Sequence, residues 1–140
     1  MGATRMSPYK ALQIVLIVFG VVALGLYPLA ALWPSGWAWH SGPPHHSDYF
    51  MMIVGLYATL GVFLLLAARD PRAHLSLIWF AVWSSVVHAV IMAVQSLQGE
   101  HDMGHLVGDV PALLVAAIAV AVLVRASGIT RPEPAAVNRG

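Results

Sequence analysis

The sequence predicts an all-α integral membrane protein, a four-helix bundle with both termini cytoplasmic, and three observations predict it. Of 140 residues, 59% are hydrophobic and 9% charged, whereas soluble domains carry about 45–50% and about 25%. The apolar residues gather into four runs near the ~20 residues a helix needs to cross ~30 Å of hydrocarbon. All seven Lys and Arg fall in segments that four crossings would place on one side. A soluble fold of this size cannot hide so much apolar surface, because a ~150-residue domain leaves roughly 30% of its chain surface exposed. Disorder, a coiled coil and an ordinary soluble enzyme are excluded with it. The chain has no Cys, which excludes disulfide scaffolds, thiolate zinc sites, iron–sulfur clusters and thiol catalysis.

The first span is Ala11–Leu32, too long an apolar run for the short core of a cleaved signal peptide. Pro28 predicts a kink in it near the outer surface. The segment Trp33–Ser47, with Pro34, Gly36, Gly42, Pro43 and Pro44, leads to the second span, Tyr49–Ala68. Arg69-Asp70-Pro71-Arg72 then forms a tight inner turn, read as held by a local ion pair, with contact to anionic lipid heads as the lesser alternative. The third span is Leu75–Leu97. After Gln98–His105, which carries Gly99 and Gly104, comes the fourth, Leu106–Val124. Residues 1–125 are thus one transmembrane domain, and 126–140, with Gly128, Pro132 and Pro134, a flexible cytoplasmic tail.

Charge sets the orientation. The cations are Arg5, Lys10, Arg69, Arg72, Arg125, Arg131 and Arg139, and the positive-inside rule makes their side cytoplasmic. Less Asp70 and Glu133, they leave +5 inside; Asp48, Glu100, Asp102 and Asp109 give −4 outside, so the net +1 hides a divided molecule. Trp33, Trp37 and Trp39 fall where an outer aromatic belt belongs. Helices in lipid associate through close packing of small residues and polar contacts. The candidate packing rows are Gly20 and Gly25 in the first span and Gly55 and Gly61 in the second. The third offers Ala81, Ser85, Ala89 and Ala93. The fourth offers Gly108, Ala112 and Ala116, with Ala117 and Ala121 beside them. Helices 3 and 4 are expected in close contact.

Two polar features need an explanation in so apolar a chain. His88 is the fourteenth residue of the third span, near the midplane, where an ionisable group is a functional candidate by default. Ser84, Met92 and Gln95 share its helical face, which predicts an interior polar stripe. A neutral His bonded to a Ser hydroxyl or a freed carbonyl is the structural alternative. The second feature is the outer face, with His40, His45, His46, His101 and His105 among its four carboxylates. His45, His46, Asp48, His101, Asp102, His105 and Asp109 are the candidate metal ligands, since imidazole and carboxylate suit Zn²⁺, Cu²⁺ or Ni²⁺. His101, His105 and Asp109 follow at four-residue spacing, which would align them on a helix, although Gly104 interrupts it. A merely solvated anionic surface and a proton-handling rim are the competing readings. As a cofactor ligand, His88 would hold haem or a chlorophyll-type pigment by a single axial bond, a weaker reading than a Zn or Cu ion at the rim. Met51, Met52, Met92 and Met103 read as gap-fillers before copper ligands.

Three stretches, Gly55-Leu56-Tyr57-Ala58-Thr59-Leu60-Gly61, Ala67-Ala68-Arg69-Asp70-Pro71 and Trp83-Ser84-Ser85-Val86-Val87-His88-Ala89, resemble an uncharacterised family of small bacterial four-helix membrane proteins. The resemblance covers Tyr49 to Leu97, about a third of the chain. In layout the chain is similar to the small membrane proteins around the DoxX family, without the redox-linked cysteines of some relatives. The resemblance implies a bacterial inner-membrane protein and no particular activity. Three functions fit the residues: capture or transport of a transition metal or protons, docking as an accessory subunit of a larger respiratory or photosynthetic membrane complex, and an outer-leaflet enzyme using Asp109, His105 and His88. The partners expected are the lipid bilayer and either a second copy or a larger complex. No nucleic-acid patch is present.

Overall fold

Proline and glycine decide where these apolar helices begin and end. The structure, a computed structural model, describes residues 6–33, 43–98, 106 and 108–129, with 98 and 109 by backbone alone. Within them lie five α-helices: α1 (Pro8–Leu24), α2 (Leu26–Leu32), α3 (Asp48–Arg69), α4 (Leu75–Gln98) and α5 (Asp109–Ala126). A 3-10 turn (Pro44–His46) precedes α3, and the described residues contain no strand. Trp37, Trp39, the Glu100–His105 segment and the tail beyond Ile129 lie outside the described residues.

The helices α3 and α4 are each long and apolar enough to cross a membrane, and α1 with α2 makes a third such span if the bent pair counts as one. As helices, the second and third apolar segments expected from sequence are present almost to the residue. The first is broken, and not at Pro28: α1 stops at Leu24, α2 starts at Leu26, and the two axes differ by 59°. A proline ring collides with the carbonyl four residues back, which for Pro28 is that of Leu24. The chain turns where the clash falls, at Gly25, with φ −83° and ψ 2°. Backbone bonds from Gly25 to Val21 and from Leu29 to Gly25, both 2.9 Å, keep each side helical.

The last helix also differs from expectation, running Asp109–Ala126 rather than 106–124. Pro111 accounts for the late start. In a helix begun at Leu106 it would sit in the interior, whereas beginning at Asp109 places it in the first turn, where no N–H is required. The end is set by Gly128, whose φ of +62° is the left-handed conformation that closes helices. Its N–H donates to the Arg125 carbonyl, and that of Ser127 to Leu123. At ~1.5 Å per residue, 18 residues reach about 27 Å, slightly less than the ~30 Å hydrocarbon layer.

The chain divides into two compact units, Gln13–Arg69 and Met1–Leu12 with Asp70–Gly140. In the first, α1 and α3 meet backbone to backbone. A Cβ on Gly61 would lie 2.7 Å from the Gly20 carbonyl oxygen and 3.1 Å from the Leu24 nitrogen, and one on Gly20 would lie 3.0 Å from the Gly61 oxygen. Only glycine fits there. Gly55, the other glycine nominated on this helix, has open space around it. Nearer the far end of the pair, the Gln13 side-chain amide donates to the Ala68 carbonyl at 2.9 Å. That carbonyl is among the last four of α3, which have no partner inside their own helix.

In the second unit α4 packs along α5, and the short connection makes them antiparallel neighbours. The buried positions, Ile78, Val82, Ala89 and Ser96 on α4 and Val110, Ala117, Val120 and Val124 on α5, follow at spacings of three, four and seven residues. These are the spacings of a left-handed helix seam. Close contact of these helices was expected, but the Gly108 and Ala112 row was not the means, since both residues are exposed. On the opposite face of α4, Phe80, Trp83, Val87, Val90, Ile91, Val94 and Leu97 are all exposed. The turn between α3 and α4 corrects a further expectation. Among the described residues Asp70 forms no ion pair; its carboxylate accepts the backbone N–H groups of Arg72 and Ala73 at 3.1 and 3.4 Å. Short side chains in turns favour their own backbone, and the Arg72 guanidinium lies instead over the Tyr9 ring, 5.8 Å from its centroid.

The two glycines of α3 should therefore respond oppositely to the same substitution. Gly61→Ala forces its methyl into the Gly20 backbone, a clash worth about 1–3 kcal/mol. Gly55→Ala meets nothing and gains about 0.5–1 kcal/mol of helix propensity. Reversible unfolding in mixed micelles with rising SDS measures both, and a loss at position 55 equal to that at 61 would refute the backbone contact.

Candidate functional site

The described segment before α3 begins with a proline-led turn. Pro43 is extended, Pro44 opens the 3-10 turn, and the His46 N–H closes it on the Pro43 carbonyl at 3.0 Å. The turn packs against both α2 and α3, with Leu26, Ala30, Pro44 and Phe50 buried at this end. Ser47 then caps α3: its hydroxyl accepts the Phe50 N–H at 3.1 Å, three positions into the helix. Asp48 follows as the first residue of α3, where a carboxylate is favoured by the positive end of the helix dipole.

This construction presents His45 and His46 side by side. Both rings are exposed, their centroids 4.5 Å apart and their planes at 84°. Asp48 is exposed as well. Around them the surface is apolar: Leu32 is 85% exposed, Trp33 62%, Tyr49 73% and Met52 64%. Two neighbouring imidazoles supply two of the three or four donors that a Zn²⁺ or Cu²⁺ ion takes. Among the described residues no group of three His, Asp or Glu is placed to hold a metal ion. Asp109 opens α5, and His101, Asp102 and His105 lie outside the described residues.

His88 sits on α4, half-buried, one position before the buried Ala89. It is therefore at the flank of the α4–α5 seam and not at its centre. Ser84 and Ser85, one turn earlier, both donate to the Ala81 carbonyl, at 3.1 and 2.8 Å. Their hydroxyl protons are thus spent on their own helix. Met92 is half-buried and Gln95 exposed, so the polar stripe expected in the interior runs along the edge of the seam. The buried polar side chain of this helix is Ser96, 2% exposed. Among the described residues no buried side-chain nitrogen or oxygen lacks a partner.

Two residues that sequence reasoning passed over carry polar contacts between distant parts of the chain. Gln13 bonds to Ala68, and Tyr9 carries Arg72. The available signal was Gln13 as the one amide in the first apolar run.

A family of unknown function (DUF6632) matches residues 6–139. The chain belongs to that family. No curated protein and no solved structure matches it. Membership extends over nearly the whole chain, from the Ser7-Pro8 start of α1 through the tail, and assigns no chemistry to any residue.

The cap on α3 is the fixed point of the exposed histidine pair. Ser47→Ala removes the bond to Phe50 and should cost about 1 kcal/mol. Hydrogen exchange at the amides of residues 49–51 should speed accordingly, and unchanged protection would remove Ser47 from this role.

Proposed function

We propose that the protein is a four-crossing protein of the bacterial inner membrane, both termini cytoplasmic, whose outer face captures a transition-metal ion or protons. The membrane part of this reading is supported by the continuous exposed apolar face of α4, from Phe80 to Leu97. A face of that composition is far larger than soluble surfaces tolerate. The fourth crossing would be α5, with its slight shortfall in length met by local thinning of the bilayer. Orientation follows from the cations, all in segments on the cytoplasmic side of such a topology.

The observation that carries the capture function is the exposed, edge-to-face His45–His46 pair on a braced turn. Unhindered imidazoles on a cation-free surface are available as ligands and as proton acceptors. His101, His105 and Asp109 supply, by their four-residue spacing, a second set of donors of the same type. Zn²⁺ and Cu²⁺ are the ions such donors favour. His88, the fourteenth residue of the third apolar run, is a further polar group for a captured proton or ion.

A second reading, docking into a larger membrane complex, is favoured by one observation: Phe80, Trp83 and Leu97 present large side chains that suit a protein partner as well as lipid.

Equilibrium dialysis of purified protein against Zn²⁺ or Cu²⁺, with metal counted by mass spectrometry, tests the capture function. At least one equivalent should bind, and less as the medium acidifies, because protons compete for the imidazoles. Combined His101→Ala, His105→Ala and Asp109→Ala should weaken affinity by at least about tenfold, the loss that even supporting residues of metal sites produce. His45→Ala with His46→Ala should also weaken it. Unchanged stoichiometry and affinity in both variants would overturn the proposal.

A further inference from the structure

We propose that the basic end of the unit formed by Met1–Leu12 and Asp70–Gly140 seats the phosphate of an anionic phospholipid, with Arg72 as its positioned donor. This rests on the membrane reading above and names a ligand for the cations of this unit.

Arg72 is exposed, and its guanidinium is held over the Tyr9 ring, 5.8 Å from the centroid. A cation–π contact uses no N–H hydrogen bond, so the guanidinium keeps the fork of donors that matches phosphate oxygens. The nearest acid in sequence, Asp70, forms no ion pair with it; its Oδ1 accepts the backbone N–H groups of Arg72 and Ala73. Lys10 follows Tyr9 directly and is exposed. Arg125, also exposed, lies in the last turn of α5, which the antiparallel pairing brings to the end where α4 begins. Among the described residues none of these three cations has a carboxylate partner.

Apolar surface begins close beside this charge. Phe80 and Trp83 of α4 and Val115, Ile118 and Val122 of α5 are exposed. Phe80 is five residues into α4, about 8 Å along its axis. Cations at the margin of an apolar flank sit at headgroup depth, where acyl chains can lie along the same helices. A free phosphate would use the charge and leave that flank unexplained.

The test is native mass spectrometry of the full chain in mild detergent with equal phosphatidylglycerol and phosphatidylcholine. Phosphatidylglycerol should be retained preferentially, by about fivefold for each cation engaged. Arg72→Gln should cut that retention about fivefold. Tyr9→Leu, which keeps every charge, should cut it about two- to fivefold through loss of the cation–π contact. Arg139→Gln removes the same unit of charge from the tail and should leave retention unchanged. Equal retention of the two lipids, equal effects at positions 72 and 139, or displacement by inorganic phosphate would each overturn the lipid site. Resistance to carbonate extraction from vesicles, measured on the same samples, separates the two readings. Extraction of the unsubstituted protein defeats the membrane reading itself, whereas resistance without lipid preference defeats this inference alone.

Discussion

The contact between Gly20 and Gly61 is the constraint on which the Gln13–Arg69 unit depends. Where hydrophobicity gives helices no reason to leave lipid for one another, they associate by close approach, and here the approach is backbone on backbone. Each glycine lies within reach of the other's carbonyl oxygen, so neither position admits a methyl group. The consequences run along the helices from that point. Toward one end, Gln13 reaches the Ala68 carbonyl at 2.9 Å and closes a gap in the α3 terminus. Toward the other, the 59° bend at Gly25 starts α2 in a new direction, and α2 packs on α3 and on the turn that holds His45 and His46. The histidine pair is thus supported by a chain of contacts that begins at two missing side chains.

The Asp70–Gly140 part of the molecule uses a different device. There the buried residues of α4 and α5, spaced by three, four and seven, are Ile, Val, Ala and a satisfied Ser, with no glycine among them. That arrangement leaves His88 at the flank of the seam and half-exposed.

Much of this fold was legible in the sequence, and what was not has physical causes. The ends of α3 and α4 were readable because Ser47, Asp48 and the Arg69–Arg72 turn interrupt long apolar runs abruptly. The break in the first span was readable in kind but misplaced, because a proline acts on the carbonyl four residues before it. Pro111 shifted the start of α5 by the same rule. Which glycines pack was not legible: Gly20, Gly25, Gly55 and Gly61 look alike until the rotation of each helix is known. Contacts such as Tyr9 with Arg72 join residues far apart in the chain, and no local pattern announces them. Of the candidate site, the exposure of His45, His46 and Asp48 was foreseeable from their place between breakers and a helix start. The edgewise position of His88 was not, because a one-residue rotation of the helix decides it.

The proposed topology assigns the segments that carry Lys and Arg to one side of the membrane and those rich in His and carboxylates to the other. The natural absence of cysteine makes a direct measurement simple. Single cysteines at Gly42→Cys, Ala73→Cys and Ala135→Cys, probed in intact cells with a membrane-impermeant maleimide, report the side of each segment. Labelling at position 42 alone, with 73 and 135 reacting only after the cells are opened, is the predicted result. Labelling of 73 or 135 in intact cells, or protection of 42, would contradict it.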